Sequence, residues 1–145
     1  FPTAGARISE DTATLLSPQM IERDLLPFMG RSVQPFGGAF VHYCGRHEFL
    51  FRLLCEQHWC RAIDLGNPEL YDLPGLLRIC AETDTVFHSR AAPLPDEGWR
   101  EYGRRLGRAV GESGARCVLR ATVFPEERAE AQEMLERFHA ETSGG

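Results

Sequence analysis

The sequence predicts an α/β fold: one helix followed by four βα units with parallel strands. Two observations carry this. Short apolar runs recur at 39–43, 61–65, 85–88 and 117–123. Each is followed by a segment whose apolar residues repeat at helical spacing. Strands separated by helices pair in parallel through right-handed crossovers. Four such units make half of an eight-unit barrel or a small open sheet.

Each element has a local reason. Residues 1–16 read as a loop with Pro2, Gly5 and the acidic pair Glu10-Asp11. Ser17-Pro18 is a helix start, with Ser as N-cap and Pro at the first helical position. Met20, Ile21, Leu25, Phe28 and Met29 form its apolar face, and Pro27 predicts a kink or a stop. Gly37-Gly38 closes that helix. The first strand, Ala39–Tyr43, runs into His42-Tyr43-Cys44-Gly45. A helix from Arg46 to His58 buries Phe49, Leu50, Leu53 and Leu54. The second strand, Arg61–Leu65, stops at Gly66-Asn67-Pro68. A helix near Leu73–Glu82 leads to the third strand, Thr85–His88. Asp96 is a candidate N-cap for a helix carrying Trp99, Tyr102, Leu106, Ala109 and Val110. The fourth strand runs from Cys117 to Val123. Pro125 and Glu126-Glu127 open the last helix, with acids at its positive end. Glu141–Gly145 reads as a frayed tail.

Composition removes several classes. The 145 residues suffice for one domain. A net charge of −5 with no basic block argues against nucleic acid as a partner. No apolar run is long enough to span a membrane, and no signal peptide is visible. All 16 basic residues are Arg, so no lysine chemistry is available here. The five cysteines are odd in number and lack CxxC spacing, which argues against a disulfide framework or zinc ribbon. A reducing cytoplasm is the expected compartment. The start at Phe1, already in a loop, is read as continuing from a missing N-terminal half, with 1–145 a single partial domain.

In parallel α/β folds the chemistry gathers at the C-terminal ends of the strands. That rim here carries His42, Cys44, Asp64, Asn67, His88, Ser89, Arg90 and Thr122, with Asp11 joining from its loop. His42 and Cys44 are two apart on a strand end, so they project together. An imidazole and a thiolate so placed suit a borderline metal such as zinc, or a thiolate–imidazolium pair for nucleophilic work. The same pair also suits a simple packed turn. Asp64 orients a substrate or a histidine, or caps its turn. His88 is a proton carrier by type, or a satisfied histidine. Arg90 suits a carboxylate, or solvent. Cys117 lies at the wrong end of its strand and reads as core. His47, His58 and His139 fall on predicted helices, as surface or packing residues.

Several segments together carry a family likeness. They are Glu10-Asp11-Thr12-Ala13-Thr14-Leu15-Leu16-Ser17-Pro18, Pro27, Gly37-Gly38 into His42-Tyr43-Cys44-Gly45, and Leu65-Gly66-Asn67-Pro68-Glu69. Their order resembles the uroporphyrinogen decarboxylase superfamily, which includes the corrinoid-dependent methyltransferases. The resemblance runs from about residue 8 to residue 139. It implies the C-terminal half of a (β/α)8 TIM barrel. It implies methyl transfer involving a corrinoid or a thiol, with His42 and Cys44 as zinc ligands. The family's third ligand, a cysteine near the last strand end, has no counterpart at Ala121-Thr122-Val123. From their strand-end positions Asp11, Asp64 and His88 are the candidate catalytic groups and Asn67 and Arg90 the candidate substrate contacts; the resemblance adds a corrinoid protein as partner. Two other readings are a cofactor-free decarboxylase of a tetrapyrrole or other polycarboxylate, and a non-catalytic corrinoid- or tetrapyrrole-binding module.

Overall fold

Strands with one apolar face need a layer of helices against that face, and a period of two decides which residues turn toward it. In the computed structural model, which describes residues 5–142, five strands meet this condition. They are β1 (Ala6–Ser9), β2 (Ala39–Tyr43), β3 (Cys60–Leu65), β4 (Val86–Arg90) and β5 (Cys117–Arg120). All neighbouring pairs are parallel, and the order across the sheet is the order along the chain. Val41, Tyr43, Ile63, Leu65 and Phe87 are fully buried on one face. They pack with Leu50, Phe51 and Leu54, and with Leu77 and Leu106, from the helices. The opposite face carries Arg7, Phe40, His42, Asp64, His88 and Arg120, in step with the alternation along β2.

The helices are α1 (Pro18–Met20), α2 (Leu26–Val33), α3 (Leu50–Cys55), α4 (Leu73–Glu82) and α5 (Trp99–Ser113) between strands, and α6 (Arg128–Thr142) after β5. The Ser17 hydroxyl accepts from the Met20 amide at 3.3 Å, as an N-cap does. Pro27 neither ends nor breaks the helical run. A π-turn at Ile21–Leu25 precedes it, and the Leu26 amide bonds back to the Ile21 carbonyl. That wider turn takes up the misfit a mid-helix proline creates. Asp72 caps α4 through the Gly75 amide at 3.0 Å.

Several expectations are corrected. The segment 1–16 is not all loop: Ala6–Ser9 forms β1, so the sheet has five strands where four were expected. A four-residue strand, with Gly5 before it and Arg7 inside it, is too short to show a convincing period. The helix expected from Arg46 begins only at Leu50. His47 lies before it and caps it: its Nδ1 accepts from the Leu50 amide at 3.0 Å and the Phe49 amide at 3.2 Å. Its Nε2–H therefore donates to the Leu16 carbonyl at 3.0 Å. His58 lies in the turn beyond α3. The residue at the N-cap of α5 is Gly98, and Asp96 sits at φ 67° in the preceding turn. Strand β5 ends at Arg120, three residues early, which leaves Thr122 exposed in a loop. Residues 1–4 and 143–145, parts of the expected leading loop and tail, lie outside the described residues.

Helices α5 and α6 approach closely at Gly103. A β-carbon there would overlap the buried Met134 side chain. Gly103→Val is therefore expected to cost about 1–3 kcal/mol through overpacking. A urea denaturation midpoint checks it, and an unchanged midpoint would show that the two helices are free to separate.

Candidate metal and thiol site

The five strands each send one side chain to a single point. Ser9, His42, Asp64 and His88 occupy matching register positions on β1 to β4. Arg7 and Arg120 stand two residues from that line on the same face. Asp64 is the meeting point and is only 2% exposed. Its Oδ2 lies 3.0 Å from His42 Nδ1 and 3.6 Å from Arg7 Nη2. Its Oδ1 lies 2.9 Å from His88 Nδ1 and accepts from Arg120 Nη2 at 3.0 Å. Arg7 and Arg120 come from the two outer strands, so the sheet curves toward this face.

A buried carboxylate is costly unless paired. Burial pushes the Asp64 carboxyl up, but the hydrogen bond and charge of His88 and the Arg120 guanidinium outweigh it. The group therefore sits below its ordinary value and is ionised at neutral pH. An ionised carboxylate only accepts hydrogen bonds. Both histidines must then carry their hydrogen on Nδ1, and in the neutral rings both Nε2 atoms present lone pairs.

His42 directs its lone pair at a cluster. The Cys44 sulfur is 3.4 Å from His42 Nε2, and Asp11 Oδ1 is 3.9 Å from it. Asp11 Oδ1 also accepts from the Cys44 amide at 2.7 Å, which ties the start of the 3-10 helix Asp11–Leu15 to the end of β2. The ligand atoms of Asp11, His42 and Cys44 all lie within 4.8 Å of one another. Burial of the sulfur, then the Asp11 and Asp64 carboxylates, push the Cys44 thiol up, while Arg90 opposes them. Alone, this thiol keeps its proton at neutral pH and is a poor nucleophile.

The three side chains form a group that could hold a metal ion, and their donor types are among those zinc takes. Zinc bonds of about 2.0–2.3 Å place tetrahedral neighbours about 3.3–3.7 Å apart; the 3.4 Å between Cys44 Sγ and His42 Nε2 lies in that range, and the 3.9 Å to Asp11 is longer than it. Oxygen, nitrogen and sulfur are all zinc donors, and three protein ligands leave one position open. The Asp64–His42 hydrogen bond is the outer support that metal-bound histidines usually have.

The turn bearing Cys44 is held from three sides. The Asn67 side-chain oxygen accepts from the Gly45 amide at 2.9 Å. The Tyr71 hydroxyl accepts from the His47 amide at 3.0 Å and donates to the Gly45 carbonyl at 3.2 Å. Gly66 is required, because a β-carbon there would stand 2.5 Å from the Cys44 sulfur. Arg90 donates to the Gly66 carbonyl at 2.7 Å and to Glu69 at 2.6 Å.

The structure thus brings together Asp11, His42, Cys44, Asp64 and His88. It places Asn67 and Arg90 in the bracket beneath the turn, Arg90 still 45% exposed. Ser89 faces the helices and donates to the Leu65 carbonyl, and Thr122 stands apart. Cys117 is half-buried against the core. Sequence reasoning missed Arg7, Arg120 and Tyr71. Strand parity with Thr122 was the available signal for Arg120; Arg7 lies on β1, where no strand was expected. No helix among the described residues is long and apolar enough to cross a membrane. Comparison with family models, with curated proteins and with solved structures returns no match.

Asp64→Asn is expected to lower zinc affinity about 10- to 100-fold through loss of the His42 support. It is also expected to remove about 3 kcal/mol of stability at neutral pH, since it leaves the paired groups uncompensated. The sign with pH follows from the depressed folded value. The stabilisation is present above the unfolded carboxyl value of about 3.9 and is lost as pH falls through the lower folded value. Chemical denaturation from pH 7 to pH 2 checks this. The wild type should lose stability over that acid range, and the variant should lose less.

Proposed function

We propose that this chain is a sector of a (β/α)8 barrel of the uroporphyrinogen decarboxylase type, whose strand-end site binds zinc and transfers a methyl group involving a thiol. The observation that carries the reading is the Asp11–His42–Cys44 cluster, with Asp64 behind it. Parallel strands in chain order, with the polar side chains on the face away from the core, support the barrel sector. On this reading the remaining strands come from an N-terminal half.

Asp11, His42 and Cys44 would hold the metal, Asp11 coming from the segment after β1 and not from the last strand end where the family has its second cysteine. Zinc in such a site supplies Lewis acidity that keeps a bound thiol deprotonated at neutral pH. The chain's own residues do the rest. Asp64 fixes the His42 tautomer and ring angle. The Cys44 amide orients Asp11. Asn67, Tyr71 and Gly66 keep the Cys44 turn in place. Arg90 adds positive charge beside the sulfur and stays accessible to an anionic part of the substrate. A methyl-carrying corrinoid, on its own protein, is the proposed partner.

A second reading has one observation in its favour. Arg7 and Arg120 stay 61% and 59% exposed on the face beside Asp64. Guanidinium groups so placed suit a carboxylate substrate, as a metal-free decarboxylase requires.

Zinc analysis of the purified protein separates the two. The wild type should hold one zinc per chain, and His42→Ala and Cys44→Ala should each retain far less, with affinity down at least about 100-fold. A folded wild-type protein with no affinity for zinc would contradict the proposal and favour the decarboxylase.

A further inference from the structure

The helix layer carries a cavity that the strand-end site does not use. It lies between α2 and α3, beside the N-terminal ends of β2 and β3, and has a volume of about 720 Å³. The Asp11–His42–Cys44 cluster is at the opposite end of β2. The volume is that of a small-molecule site. Trp59, in the turn between α3 and β3, forms part of the wall and is only 6% exposed. An indole N–H can only donate, and a buried one ordinarily has an acceptor. The Trp59 N–H has no acceptor among the described residues. Nor is it sealed in: among those residues Glu69 Oε2 is the one enclosed side-chain polar atom without a partner.

Gly30 keeps that N–H open. It lines the same cavity, and a β-carbon there would stand 2.8 Å from Trp59 Nε1. A glycine inside a helix costs about 0.5–1 kcal/mol against alanine, and here it leaves a path to the indole edge. The charges around the cavity set the sign of its ligand. Arg31 and Arg61 line it, and neither has an ion-pair partner among the described residues. Arg61 lies across the bare Gly38, whose β-carbon would meet its side chain at 2.9 Å. The other titratable groups on the wall are Glu22, Glu56 and His58. Glu56 already pairs with Arg52 at 3.5 Å, which leaves Glu22 as the free acid. Two free guanidinium groups and an indole N–H outweigh one carboxylate and favour an anion with acceptor oxygens. Leu26 and Leu53 add apolar wall.

We propose that this cavity binds a small organic anion. The oxyanion head accepts from the Trp59 N–H and from the guanidinium groups of Arg31 and Arg61, and the apolar part lies against Leu26 and Leu53. A carboxylate and a phosphate ester share that chemistry. The site is separate from the metal cluster, and it stands or falls independently of the zinc reading.

The chain has two tryptophans, so the indole N–H signals of a nitrogen-15 correlation spectrum report on the site directly. The full chain is titrated with benzoate, phenyl phosphate, inorganic phosphate and uncharged benzyl alcohol. The Trp59 signal should shift saturably with benzoate or phenyl phosphate, with a Kd of about 1 mM or tighter, while Trp99 on α5 stays in place. The tighter of the two identifies the head group. Benzyl alcohol and inorganic phosphate each lack one half of the ligand and should bind at least about tenfold more weakly. Arg31→Gln and Arg61→Gln, both at exposed positions, should each weaken the better anion about tenfold. A wild-type Trp59 signal that ignores both organic anions at about 10 mM would overturn the proposal. So would equal binding of benzyl alcohol or inorganic phosphate, or arginine variants that bind as the wild type does.

Discussion

One buried carboxylate organises the polar face of this sheet. Asp64 sits on the central strand, and each of the other four strands sends a side chain to it. A charge so deeply enclosed is tolerated only when its lone pairs are filled, and here two imidazoles and two guanidinium groups fill them. The arrangement has a structural consequence. Arg7 and Arg120 start two strands away on either side, so they meet the same carboxylate only if the sheet is concave. The curvature, the tautomers of both histidines and the direction of the His42 lone pair all follow from satisfying this group.

The chemistry follows from the same constraint. A histidine with its Nδ1 hydrogen committed to a carboxylate offers Nε2 as a ligand, and a thiol and a second carboxylate lie where a metal would need them. The thiol alone is pushed toward its protonated form by the surrounding carboxylates. Two carboxylates beside an imidazole and a thiol make a site whose charge is completed by a cation. The loops after β2 and β3 contribute rigidity, through Asn67, Tyr71 and the bare Gly66 beneath the sulfur.

Much of this was legible in the sequence, and the gaps have physical reasons. The parallel βα order was readable because four strand–helix alternations leave little choice of topology. His42 and Cys44 were readable because strand parity puts them on one side. Asp11 was recognised as a rim group but not as the third member of the cluster with His42 and Cys44. Its place depends on a 33-residue separation closed by the Cys44 amide, which no local spacing reveals. The first strand was missed because four residues give too little alternation, and Arg7 was lost with it. His47 looked helical because the apolar stripe of α3 starts beside it; its capping role depends on the Leu16 carbonyl, far along the chain. Asn67 and Arg90 were read as rim groups, and only the folded loops show them gripping Gly45, Gly66 and Glu69.

The central claim is a metal centre with one sulfur donor from this chain, the rest of its protein ligands being nitrogen and oxygen. X-ray absorption at the zinc edge, on the loaded protein without added thiol, tests it most directly. The account predicts one sulfur at about 2.3 Å and the remaining scatterers as nitrogen or oxygen at about 2.0–2.2 Å. Two or more sulfurs, or a shell of oxygen and nitrogen alone, would contradict the Asp11–His42–Cys44 assignment.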